Sequence, residues 1–188
     1  GTEYKGGYSR FWISDDEGHS WSESESLPGE PNQHPTLIER ADGSVLALLR
    51  PSGKHSNVLR SVSEDGGRTW SDAVVTALPC PHAAIDAVKL GDGRVVRVWN
   101  NNPDARTPLT LAISEDDGDT WAATRDLVTG EGELHYPAIV EGSEGQLHVT
   151  FTNNRITIDH VEVAVDWIYG DGPALTTWAG DSTVRGTV

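Results

Sequence analysis

The sequence predicts an all-β protein built as part of a β-propeller. Two repeats in one register carry that prediction, and composition supports it. The pattern S-x-D-x-G-x-[ST]-W begins at Ser14, Ser63 and Ser114, so it recurs 49 and then 51 residues apart. The glycines of tight hairpins fall at Gly43, Gly93 and Gly145, 50 and 52 residues apart. Units of about 45–50 residues with four short strands each are the signature of propeller blades. Gly 20, Pro 10 and Trp 7 suit a turn-rich sheet protein, and no helical periodicity of useful length competes. A two-sheet sandwich also has many short strands, but it does not call for two repeats in one register.

The chemistry of the pattern explains its place. A carboxylate can accept backbone N–H bonds from its own turn, and a glycine two residues later supplies φ > 0. The Trp then covers the turn with a large apolar face. Asp16, Asp65 and Asp116 are therefore expected to be structural.

Taken in order, strands are expected at Tyr8–Ile13, His34–Glu39, Val45–Arg50, Asn57–Val62 and Trp70–Thr76, with Leu27–Asn32 as a connector. The order repeats with Ala84–Leu90, Arg94–Asn100, Pro108–Ile113 and Trp121–Val128, then Tyr136–Glu141, Gln146–Thr152 and Ile156–Val163. That gives two complete blades, the last two strands of an earlier one and the first three of a later one. Residues 1–168 form the propeller part, with blade boundaries near 32, 82 and 134, and residues 169–188 form a Gly/Thr/Ser-rich tail. Three to four blades are about half of a six-bladed ring. Position 1 is Gly and Met is absent, so an excerpted chain is expected, completed by a missing N-terminal half or by a second copy.

A net charge of −15 argues against nucleic acid or an anionic membrane as partner. A single cysteine, Cys80, excludes an internal disulfide framework. No stretch has the length of a membrane span, no signal peptide is present, and the compartment stays open. The seven His are scattered over the blades, so no metal site is expected, and no cofactor.

Topology sorts the remaining residues. In a four-stranded meander the first and third turns share one rim. The head of the first strand and the second turn share the other. The S-x-D-x-G turns and hairpin glycines fall on the first rim. Gln33, His34, Arg50, Asn101, Arg106, His135, Tyr136 and Arg155 fall on the second. Tyr136 and His34 each stand nine residues before their hairpin glycine, at the head of an innermost strand. Three arginines on one rim of an acidic chain point to an anionic ligand such as a carboxylate.

At these residues the chain resembles the sialidase (neuraminidase) superfamily, in its Asp-box or BNR-repeat predicted-neuraminidase branch. The stretches that carry the resemblance are the three Asp boxes, Gln33-His34-Pro35, Leu78-Pro79-Cys80-Pro81, Arg106-Thr107-Pro108-Leu109, Glu133-Leu134-His135-Tyr136-Pro137-Ala138-Ile139 and Thr152-Asn153-Asn154-Arg155. The resemblance implies a six-bladed propeller and a retaining glycosidase with a tyrosine nucleophile. It implies Arg50 and Arg106 as carboxylate-binding residues and Tyr136 as the nucleophile. Arg155, Asn101, His34 and His135 are expected to bind substrate. The family's activating glutamate corresponds to Gln33, an amide that cannot take a proton, so Glu131, Glu133, His34 or His135 would have to substitute. The first arginine and the acid Asp belong to blades this chain lacks.

The expected function is exo-hydrolysis of a glycoside of a carboxylated sugar, sialic or uronic, and without the missing blades the fragment alone is expected to be inert. The alternatives are a non-catalytic glycan-binding or structural propeller fragment, and a propeller lyase or rhamnosidase acting on uronate polysaccharides.

Overall fold

The computed structural model describes residues 7–170 and 176–178. It is all-β, and its sheets follow chain order. A two-stranded ribbon, β1 (Trp12–Ile13) and β2 (Ser22–Glu23), comes first. The first blade is the antiparallel sheet β3 (Asn32–Glu39), β4 (Val45–Pro51), β5 (Asn57–Ser63) and β6 (Val74–Pro79). The second is β7 (Asp86–Lys89), β8 (Val95–Asn100), β9 (Leu109–Ser114) and β10 (Ala123–Val128). The third is β11 (Leu134–Glu141), β12 (Gln146–Asn153), β13 (Thr157–Ala164) and β14 (Thr176–Trp178).

Period-two alternation assigns the two faces of each sheet to different cores. On β4, Leu46 and Leu48 enter the core between the first and second blades, while Ala47 and Leu49 pack under the ribbon. On β8, Val95 and Trp99 join that inter-blade core, and Val96 and Val98 enter the core shared with the third blade. Strands buried on both faces read as near-continuous apolar runs, as residues 45–49 of β4 do; in β8 the run is broken by Arg97, which is buried with its guanidinium 4.0 and 3.9 Å from the Trp99 and Trp121 rings.

The Asp boxes close as their chemistry dictates. In the second, Asp65 accepts from the Thr69 N–H at 2.8 Å and its hydroxyl at 2.6 Å, Ser63 Oγ accepts from the Gly67 N–H at 2.8 Å, and Trp70 Nε1 donates to the Gly67 carbonyl at 2.9 Å. The third box reaches across the seam. Asp117 accepts from the Ala41 N–H at 2.9 Å and Asp119 from Arg40 at 2.7 Å, which docks the second blade onto the first blade's hairpin.

Two expectations shift. The strand expected at Trp70–Thr76 forms at Val74–Pro79, because Ala73 bonds back to Pro28 and Glu30 at 2.7 and 3.0 Å instead of extending the ladder. The connector residue there must be Gly29: a Cβ would lie 2.5 Å from the Ala73 nitrogen. The third blade gains its fourth strand, β14, from the segment expected as tail, pairing Val161 with Thr177; the rest of that tail, residues 171–175 and 179–188, lies outside the described residues. Where that blade lacks an Asp box, a 3-10 turn over Val165–Tyr169 buries Val165, Trp167 and Ile168, and the Arg125 guanidinium lies 4.0 Å over the Trp167 ring. Among the described residues no helix is long and apolar enough to cross a membrane.

Candidate functional site

The rim opposite the boxes begins with two matching bulges. The β3–β4 register breaks between Gln33 and Thr36, and the β11–β12 register between His135 and Ala138. His34 and Tyr136 sit in those breaks with φ of +48° and +47°. A proline follows each, which already bars ordinary helical geometry. A bulge turns one side chain out of the ladder, and left-handed backbone at a non-glycine costs about 1–2 kcal/mol. Tyr136 is thereby 51% exposed. The middle blade has Ala84 at this position and offers no such group.

One carboxylate holds the heads of the innermost strands together. Asp86 on β7 accepts from the Thr36 hydroxyl and the Ile139 N–H, each at 3.0 Å, so it ties β3 and β11 to the strand between them. Sequence reasoning missed it. The signal was present: a lone acid in the apolar run Ala83–Val88 needs partners.

The rim side chains then form a closed circuit. Arg50 Nη1 lies 3.5 Å from His34 Nδ1, and the His34 and Tyr136 rings are 6.2 Å apart. His135 stacks on Tyr136 at 6.0 Å, and its Nδ1 meets Arg106 Nη1 at 2.5 Å. Arg106 Nη2 donates to the His82 carbonyl at 3.3 Å, and His82 Nδ1 approaches the Pro51 carbonyl, next to Arg50, at 3.2 Å. The Cys80 thiol reports the convergence. Burial pushes it up, while Arg50 and Arg106 both pull it down.

Guanidinium groups only donate, so the Nδ1 of His34 and of His135 must be the acceptor, and each imidazole carries its proton on Nε2. Desolvation and then the Arg50 charge hold His34 below its ordinary value. Burial and then Arg106 do the same for His135, against an opposing pull from Glu133. Both rings are thus neutral near pH 7.

The residues expected from the sequence do not all converge. Gln33 pairs across the sheet with Arg50, and both line an open cleft of about 530 Å³ with Lys54 and His82. The first-blade contact to the Tyr136 ring comes from His34, not from Gln33. Arg155 is exposed on the next loop at φ +58°, near enough to lower the His135 value further. Asn101 is half-buried beside Asn100. His135, expected to touch substrate, is fully buried; any role it has runs through Arg106. Among the described residues, Arg50, Arg106 and Arg155 enter no salt bridge, and no three His, Cys, Asp or Glu side chains converge as metal ligands.

Comparison with known proteins places this fold. The BNR repeat-like domain profile matches residues 4–149. The chain is 28% identical over 156 residues to a sialidase of Micromonospora viridifaciens, covering 76% of this chain and 24% of that protein. It superposes on the leech intramolecular trans-sialidase, solved with 2,7-anhydro-Neu5Ac after soaking with 3'-sialyllactose, with a TM-score of 0.74 at 19% identity, covering 87% of this chain and 28% of the other. The intramolecular trans-sialidase of Ruminococcus gnavus, solved with oseltamivir carboxylate, gives 0.70 at 19% identity, covering 87% and 39%. The chain therefore spans well under half the length of these relatives. By its repeat, its blades and that profile match, the chain belongs to the BNR repeat-like domain family within the sialidase superfamily.

Proposed function

We propose that this rim binds the carboxylate of an acidic sugar, sialic or uronic, and that in the whole protein it forms part of a sialidase-like exo-glycosidase site. The observation that carries this is the state of the arginines. Arg50, Arg106 and Arg155 share one rim without a carboxylate partner among the described residues, although the chain has 29 acidic residues. Two relatives with the same fold were solved with carboxylated ligands.

Arg50 and Arg106 clamp the carboxylate, and Arg155 and Asn101 contact the sugar. Tyr136 Oη attacks the anomeric carbon as the glycosidic C–O bond breaks, and the leaving oxygen takes its proton from an acid that other blades supply. The phenol proton needs an acceptor, since free tyrosine titrates near 10. Gln33 cannot serve. His34 can once Arg50 turns to the ligand carboxylate, because that releases the Nδ1 lone pair. Water then hydrolyses the glycosyl-tyrosine.

The test is titration of the full-length protein with N-acetylneuraminate and glucuronate, with turnover of their fluorogenic α- and β-glycosides followed alongside. A charge-assisted bond contributes about 1.5–3 kcal/mol, so Arg106→Ala should weaken binding about 10- to 150-fold. Tyr136→Phe should abolish turnover and keep binding. Unchanged binding in Arg106→Ala overturns the clamp, and full turnover in Tyr136→Phe overturns the nucleophile. A second function, glycan binding without turnover, is favoured by the amide at Gln33; tight binding with no product from any glycoside would establish it.

A further inference from the structure

His135 is an odd residue to find beside a carboxylate clamp. It is completely buried, so no ligand can touch it. Its Nδ1 faces Arg106 Nη1 at 2.5 Å. Its Nε2 lies 2.9 Å from Glu133 Oε2, an ion-pair distance without hydrogen-bond alignment. Apart from the His82 carbonyl at 3.3 Å, this imidazole is the acceptor that aims the Arg106 guanidinium among the described residues.

We propose that His135 is a positioning residue for Arg106, and that it holds the guanidinium in place only while its imidazole is neutral. Protonation at Nδ1 would set an N–H against an N–H and a cation against a cation in a dry site. Arg106 then leaves its place and the clamp loses one jaw. The groups facing the ring from each neighbouring element set the midpoint. Arg106, from the β8–β9 loop, and Arg155, from the β12–β13 loop, oppose the charged form; Glu133, on the lead-in to β11, favours it. Tyr136 covers one face of the ring. Positioning by a neutral imidazole leaves the full charge of Arg106 for a ligand, which a carboxylate in its place would cancel.

The inference rests on the carboxylate-binding role of Arg106, and the two can fail separately. Binding of N-acetylneuraminate and glucuronate to the full-length protein is measured from about pH 8 to about pH 5, where neither ligand carboxylate titrates. Affinity should be flat at the upper end. Below the His135 midpoint it should fall about tenfold per pH unit, as for any one-proton linkage. His135→Gln keeps an acceptor that cannot titrate, so it should bind near the wild-type neutral level with the acid-side loss removed. Glu133→Gln should move the loss to lower pH. If His135 acted only as one more positive charge, affinity would rise on acidification. That outcome, or an unchanged acid-side loss in His135→Gln, overturns the proposal. Nitrogen NMR of the imidazole decides the matter without ligand: His135 should be the Nε2–H tautomer at neutral pH, and its midpoint should rise in Arg106→Ala. An Nδ1–H tautomer or an unmoved midpoint sinks the idea even where no probe binds, whereas absent binding with the expected spectra sinks only the clamp.

Discussion

Gly118 tests whether the Asp boxes hold blades together or only close their own turns. It has φ +87°, and a Cβ there would lie 2.7 Å from Leu46 Cδ2 in the next blade. Gly43 has the same φ of +87° with nothing within 4 Å of its Cβ direction, so the pair separates backbone strain from packing. Alanine in left-handed backbone costs about 1–2 kcal/mol, offset by about 0.4–1 kcal/mol from a less flexible unfolded chain. Gly43→Ala should therefore lose about 1 kcal/mol. Gly118→Ala adds overpacking against a fully buried Leu46, which can retreat only into other core residues; that contributes about 1–3 kcal/mol more. The assay is urea unfolding of both variants, read at the midpoint with the slope held as a control. In heating experiments the excess corresponds to roughly 2–4 °C per kcal/mol for a chain of this size. The third box anchors the seam between Arg50 and Arg106, so Gly118→Ala should also weaken ligand binding while Gly43→Ala should not. Equal losses in the two variants would refute the assignment of Gly118 to the seam.

Two further perturbations probe the same frame. Asp65 and Asp116 are held at about 2, chiefly by the side-chain bonds of Thr69 and Thr120. Their stabilisation is present above the ordinary carboxylate value of about 4 and is lost as pH falls toward about 2. Asp65→Asn and Asp116→Asn should be less stable at neutral pH and show a shallower acid decline of the urea midpoint; an acid limb as steep as wild type would count against the boxes as acid-labile anchors. Asp86→Ala removes acceptors for the Thr36 hydroxyl, the Ala87 N–H and the Ile139 N–H. It should cost about 2–4 kcal/mol, less than three separate charged bonds because they share one carboxylate. It should also weaken ligand binding, since Tyr136 stands three residues before Ile139, and full stability with intact binding would show that the bridge is incidental.

What the sequence made legible is what local chemistry decides. The box turns were readable because Ser, Asp, Gly and Trp satisfy one another within eight residues. The hairpin glycines, and through them the blade period, followed from the same kind of signal. That register puts Arg50, Arg106 and Tyr136 on one rim from the sequence alone. Features decided by distant partners were not readable. Val74–Pro79 is displaced by a bridge to Gly29, more than forty residues away. The strand Thr176–Trp178 has no alternation to announce it and exists by pairing with β13. His34 and Tyr136 were found at strand heads, but the bulges that turn them outward belong to the partner strands' register. His135 shares the rim in sequence, but it pairs with Thr152 just ahead of the bulge and is buried beside the Tyr136 ring, which the bulge leaves exposed.

The two rims treat their cations differently, and the difference bears on function. On the box rim each cation meets an acid: Arg40 and Arg60 share Asp119, Lys89 meets Asp117, Arg68 meets Asp15 and Arg94 meets Asp92. On the opposite rim Arg50 and Arg106 meet imidazole nitrogens and a carbonyl. An acid 4 Å from a rim arginine would interact with about 4 kcal/mol at the effective dielectric of a protein surface. That is comparable to what a ligand carboxylate could gain there, so the acid would compete with the ligand. Neutral acceptors aim the guanidinium and leave its charge free, but only at a pH where the imidazoles stay unprotonated. Under the proposed clamp, one buried group, His135, would both leave the charge of Arg106 free for an anion and set the acid limit of binding.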